Sequence, residues 1–358
     1  LLSADAVAAV DPEIDFSAYD TVLLIHAGAG EETDANNDSP EHIYSAYLGL
    51  EDFTEAVEDS VLAQPWLETD DHPEGEGVEH VLVLPECEYQ DPGPGGSGLY
   101  GSLGVYCFEL GLRLGMLSLF DFTGNDSQGI GQFGLMGFGL WTAGGLLPPQ
   151  PCAFNKVLMG WFEPYRVEPA HGEEWTLYPS EFPADPQTCA RVDLTGSEYF
   201  LIEYRLEDPD GNSDFSFPEG DLNGDGAPNF VDADQPGGVP PLDAVFDPAT
   251  DTHERLVDAE WDFFLTGSQG GGSGLLVWHV DEGVIRAVWD AERNLFNGDP
   301  TRKSVDLEEA DGIQDLDVRE SSTYWLGSPV DTWKAEGNDR FGPQTGPDTR
   351  TNLDAPTG

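Results

Sequence analysis

Positive charge is what this sequence has least of. Its 358 residues carry 14 Lys and Arg against 69 Asp and Glu, a formal net charge of −55. The lysines are Lys156, Lys303 and Lys334 alone. Such a surface repels phosphate backbones and anionic bilayers, which excludes nucleic acid and membrane lipid as partners. It suits a saline medium, where counterions screen the self-repulsion, or calcium-rich surroundings. No run approaches the roughly 20 apolar residues of a membrane span, so no membrane insertion is expected. Cysteine is sparse too. Cys87, Cys107, Cys152 and Cys189 form no C-x-x-C pair, which argues against a zinc knuckle or a thioredoxin-type centre. An exported chain leaves one or two disulfides open, with the pairing unreadable. Histidine is the last scarcity. His26, His42, His72, His80, His171, His253 and His279 include no two that stand four apart.

What is present is enough to fold. Hydrophobic residues make up 39% of the chain and aromatics 11%, with nine tryptophans, so this is no disordered acidic tail. The length suits one large or two moderate domains. The opening LLSADAVAAVDPEIDF has no methionine, basic segment or long apolar core. It reads as a processed mature chain or a piece of a longer one.

Along the chain, DTVLLIH (20–26) is a short apolar run ending in AGAG, predicted as a buried strand that breaks into a glycine loop. Ser39-Pro40 predicts a helix start running through IYSAYLGL (43–50). Residues 51–79 are acidic and weakly patterned, and HVLVLP (80–85) is a second strand. The stretch VYCFELGLRLGMLSLFD (105–121) predicts a buried helix closing near Gly115, followed by the glycine-rich DSQGIGQFGLMGFGLW (126–141). PCAFNKVLMGWFEP (151–164) predicts a further helix. From Arg166 the texture turns to short β segments, WTLYP, ARVDL, EYFLIEYRL and later GLLVWHVDE, interrupted by an acidic insertion at 207–241. These patterns give an α+β chain with an α/β part over 1–165 and a β-rich part over 166–358.

The central helix has the frame of a zinc-peptidase motif without its ligands. Two histidines at i and i+4 share one helical face, and the glutamate after the first activates zinc-bound water. Here Glu109 holds the glutamate position, Phe108 and Leu112 hold the histidine positions, and Ser118 falls where a third ligand would stand. Phe and Leu at that spacing make an apolar pair and cannot bind metal. A glutamate hydrogen-bonded to backbone or water is then the simpler role for Glu109. His26 and His279 each end an apolar run, which marks hydrogen-bonded histidines rather than ligands. Cys107 has no histidine beside it and reads as an inert thiol.

The order of segments, IHAGAG, VLVLPE, GVYCFELGLRLGMLSLFD, GIGQFGLMGFGLW, FNKVLMGW, EYFLIEYR, GLLVWHVDE and LEEADG, resembles the secreted immune-inhibitor-A-type metallopeptidases over roughly residues 20–320. The resemblance implies a zincin-like domain, an extracellular location, a methionine turn at Met136, and a helix-motif aspartate at Asp121. It also implies that Phe108, Leu112 and Ser118 are lost zinc-ligand positions, so zinc is not expected. Glu109, Gly111, Gly115 and Asp121 are retained.

One positive metal signal stands at Asp221 to Asp232, DLNGDGAPNFVD. Asp221, Asn223, Asp225, Asn229 and Asp232 place oxygen donors at positions 1, 3, 5, 9 and 12 of a loop that turns at Gly226. Ala227 offers its carbonyl at position 7. Calcium needs six to eight such hard oxygens around a tight loop. The sequence thus points to a calcium-stabilised, catalytically silent metallopeptidase-like protein, secreted or at the cell surface. A protein partner or a larger extracellular assembly is the class of partner it leaves. An active secreted metallopeptidase with non-standard ligands is the alternative.

Overall fold

The computed structural model describes residues 2–34, 38–39, 41–88, 101–121, 127–167, 174–181, 187–207, 217–219, 229–231, 246–247, 252–253, 262, 265–266, 271–289, 295–317 and 326–352. The chain has mixed α+β architecture and divides into two compact units. One is Leu1–Leu117 with Leu140–Pro148, the other Ser118–Gly139 with Pro149–Gly358. Residues 140–148 stay with the first unit because backbone meets backbone there. Gly101 N–H donates to Gly144 O at 2.8 Å, and a Cβ on Gly104 would lie 1.8 Å from the Leu140 carbonyl oxygen. Only glycine permits that approach. The helix over 153–158 goes with the second unit because it is anchored on that unit's sheet, as described below.

In the first unit, α1 (Leu2–Val10) precedes a three-stranded sheet of order β1-β3-β2. β1 (Val22–Ala29) runs parallel to β3 (Val81–Cys87), and β2 (Ala46–Leu48) pairs antiparallel with β3's other side. The central strand β3 is buried from Val81 to Pro85, matching its uninterrupted apolar sequence. β1 forms as expected but at an edge, and it alternates: Leu23 and Ile25 are exposed while Val22 and Leu24 turn inward. The helix expected over 43–50 is replaced by β2, because the open side of β3 takes Ala46–Leu48 as a ladder partner. The helix begins afterwards, as α2 (Leu50–Glu58), where Asp52 accepts the Gly49 N–H at 2.7 Å. Phe53 from α2 joins Val7, Phe16, Leu67, Val78, Val81 and Val83 in the core of this unit.

α3 (Leu103–Leu114) is the expected central helix. Gly115 ends it at φ 101°, and the N–H groups of Gly115 and Met116 close on the carbonyls of Leu112 and Gly111. That paired closure satisfies two terminal carbonyls. The helix is half-buried rather than wholly so. Gly104, Val105, Phe108, Glu109 and Gly111 face inward, while Leu103, Leu110 and Leu114 are exposed.

In the second unit, α4 (Ala153–Leu158) is followed by β4 (Tyr165–Arg166), β5 (Cys189–Asp193) and β6 (Glu198–Arg205). Two short hairpin ladders come next. β7 (Phe217–Glu219) pairs with β8 (Asn229–Val231), and β9 (Phe246–Asp247) with β10 (Thr252–His253). β11 (Gly274–Asp281), α5 (Glu282–Trp289) and β12 (Val305–Leu307) complete the order. The main sheet is β12-β11-β6-β5-β4. Along it β6 and β11 pair over eight residues each, from Glu198↔Asp281 to Arg205↔Gly274. WTLYP, expected as a strand, makes only the single bridge Pro179↔Tyr204.

One face of that sheet carries a charged core. Glu203 of β6 accepts hydrogen bonds from Ala153 N–H at 3.0 Å, Trp278 Nε1 at 3.0 Å and Lys156 Nζ at 3.2 Å. Arg205 pairs with Asp262 through its Nε at 2.5 Å, and Lys156, Glu203, Arg205 and Asp262 are all buried. These contacts are what fasten α4 to β6.

Candidate functional site

The candidate site in the first unit is built where β1 and β3 end and α3 passes. Both strands run parallel, so their carboxyl ends open on the same side, the usual position for functional groups in parallel sheets. β1 leaves into a 3-10 turn at Glu31–Thr33, and β3 leaves into Glu88. α3 contributes Glu109.

Glu109 is buried, and its Oε2 accepts the Tyr47 N–H at 2.7 Å. This is the backbone-bonded glutamate that the ligand-free motif predicted. Burial pushes its carboxyl up to about 7, the Tyr47 N–H works against that rise, and the nearby Glu32 charge adds to it. Phe108, at the first ligand position, is buried on the same helix, and Leu112 is half-buried one turn later. Neither offers a donor, and the residues present do not fit a zinc ion. Cys107 beside them is a free thiol, raised by burial and so poor as a nucleophile.

Ser118, the third ligand position, belongs to the second unit, where it is buried with no hydrogen-bond partner for Oγ among the described residues. Met136 lies in the same unit and is fully buried, and its carbonyl accepts the Leu119 N–H at 2.8 Å. The glycine-rich run here makes tight turns. Gly129, at φ 60°, would place a Cβ 1.9 Å from the Leu119 carbonyl oxygen. Asp121 is half-buried.

Sequence reasoning passed over Glu32 and Glu88. Glu88 is 0% exposed, and neither carboxyl oxygen receives a hydrogen bond among the described residues. Burial pushes its carboxyl up to about 8, helped by the Glu32 charge and by hydrogen-bonding contact with that carboxyl. Glu32 Oε2 accepts the Ser45 N–H at 3.2 Å, while its buried Oε1 receives no hydrogen bond among the described residues. The available signal was position: an acid directly after β3 and a pair of acids within three residues of the end of β1.

The remaining histidines divide. His26 makes a Nδ1 contact with the Ala27 carbonyl at 3.1 Å, and its Nε2 is buried without a partner. His279 of β11 lies between Glu308 at 3.1 Å and Glu198 at 3.3 Å. Burial works against its charged form, yet Glu308, Asp306 and Glu198 together hold its pKa above the ordinary histidine value. It is an ion-paired core histidine in the second unit.

Of the loop expected to bind calcium, Asn229 lies in β8, whose backbone pairs with β7. Asp221, Asn223, Asp225, Ala227 and Asp232 lie outside the described residues. Among the described residues, one set of three carboxylates comes close enough for a single ion, Asp11, Asp70 and Asp71 near the surface. The second unit also holds a cleft of about 780 Å³ against β5, β6 and β11, with Trp175, Leu177, Ile202, Tyr204, Leu275 and Trp333 in its walls. Among the described residues no helix is long and apolar enough to cross a membrane.

Comparison with protein-family models, with curated proteins and with solved structures finds no match to this chain.

Proposed function

We propose that the chain is a secreted, metallopeptidase-like protein without a working zinc centre, acting by binding or scaffolding in an extracellular assembly. The observation that carries this reading is the state of α3. A buried phenylalanine and a half-buried leucine stand at its two ligand positions, and the glutamate between them is tied to the Tyr47 backbone. A carboxylate so placed has no metal-bound water to activate. The zincin-like fold rests on the segment order from IHAGAG to LEEADG, and extracellular calcium stabilisation rests on the 221–232 spacing.

Hydrolysis of a mixed peptide library by the purified chain, beside a Glu109→Gln variant, tests the reading. Both are expected to match the buffer control. Turnover by the parent that Glu109→Gln abolishes would overturn it.

A further inference from the structure

The carboxyl ends of β1 and β3 gather negative charge that the described residues do not neutralise. Glu31 and Glu32 arrive from the turn after β1, Glu88 from the end of β3, and Glu109 from α3. No lysine or arginine is among the groups acting on Glu88 or Glu109. Glu88 is the sharpest feature, fully buried, with no donor to either oxygen among the described residues and the Glu32 carboxyl beside it. Glu32 Oε1 and Glu31 Oε2 are likewise buried and receive no hydrogen bond among the described residues.

Buried carboxylates in contact, with no donor between them, require a positive species. That species is a proton or a metal ion. The donor set is all hard oxygen, without thiolate or histidine, which suits a magnesium- or manganese-class ion rather than zinc. Magnesium keeps several waters and binds through one or two carboxylates, and manganese takes the same octahedral oxygen shell. A pair therefore suffices, and three converging side chains are not needed.

We propose that Glu88 and Glu32 hold one hard divalent cation, with both oxygens of Glu88 and Oε1 of Glu32 as its protein ligands. Glu109, which feels the Glu32 charge, adds negative charge beside the pair without being required as a ligand. The site is separate from the 108/112 positions and from the 221–232 loop, so the reading of the chain as a silent peptidase does not bear on it.

The test uses the full chain, stripped of metal, in an Asp225→Ala background that disables the proposed loop site. Titration calorimetry with magnesium and then manganese is expected to find one ion per chain. Adding Glu88→Gln is expected to abolish it. Glutamine has the shape of a protonated glutamate, so the double variant is expected to melt, in chelator, no lower than its parent. Should it not fold, Glu32→Gln serves instead, with at least a tenfold loss of affinity expected. Absence of binding up to ~10 mM ion, weaker than the poorest extracellular calcium modules, would overturn the proposal. So would binding that Glu88→Gln or Glu32→Gln leaves unchanged, and the pair would then hold a proton.

Discussion

Glu88 and Glu109 make the behaviour of the metal-free chain depend on pH at single residues. Both carboxyls are raised, mainly by burial, to about 8 and about 7. A raised acid binds its proton more tightly in the folded state, so its contribution is complete below the unfolded pKa near 4.5 and is lost as pH climbs through the folded value. In chelator, the first unit is therefore expected to lose stability between about pH 5 and pH 8. The slope should approach ~1.4 kcal/mol per pH unit for each proton involved. Denaturant melts across that range check the sign, and Glu88→Gln should flatten the curve. A curve that rises over the same window would show that these groups are ionised and compensated in the fold. The sequence revealed Glu109, because its position in a motif frame is visible in one dimension. It did not reveal Glu88, whose only local signature is an acid after a strand. What makes Glu88 special is Glu32, 56 positions away and brought beside it by the parallel pairing of β1 and β3.

At the scale of elements, α3, β1, β3, α4, β6 and β11 were legible because each carries its period or its apolar run locally. β2 was not. AYL reads equally well in a helix, and the open side of β3 decides the matter, which is tertiary context. WTLYP failed for the converse reason: a β-rich composition that finds one bridge and no ladder. The charged core between α4 and β6 was also invisible, since Lys156, Glu203 and Asp262 are far apart in sequence. It supplies the next prediction. Glu203 accepts from a backbone N–H, an indole and a lysine, all within the buried face. Glu203→Ala would leave Lys156 without its counter-charge in the interior, while Arg205 keeps Asp262, at a cost of about 3–5 kcal/mol. Urea unfolding of the variant measures it. A loss under about 1 kcal/mol, the size of an exposed pair, would mean that water reaches the network.

For the whole molecule the dominant quantity is the net charge of −55. Self-repulsion grows as screening falls, and the Debye length reaches roughly 30 Å at 0.01 M ionic strength. Melting temperature is thus expected to rise with sodium or potassium chloride even in chelator. A melting temperature flat with salt would show the acidic groups to be dispersed or internally compensated. Calcium would add a separate contribution. If 221–232 binds it, chelation lowers the melting point and Asp225→Ala removes the part of that response due to the loop. The mass-action gain is about 2.7 kcal/mol at a hundredfold excess over the dissociation constant. A chelator response of the same size in Asp225→Ala would place the stabilising ion elsewhere.

The central claim concerns zinc and is settled by counting it. The full chain, produced in zinc-replete medium and dialysed, is analysed for bound metal and assayed for chelator-sensitive peptide cleavage on the same sample. The account predicts zinc well below one ion per chain and no cleavage, since Phe108 and Leu112 leave α3 without ligands. One zinc per chain, together with cleavage that chelator and Glu109→Gln each remove, would contradict it.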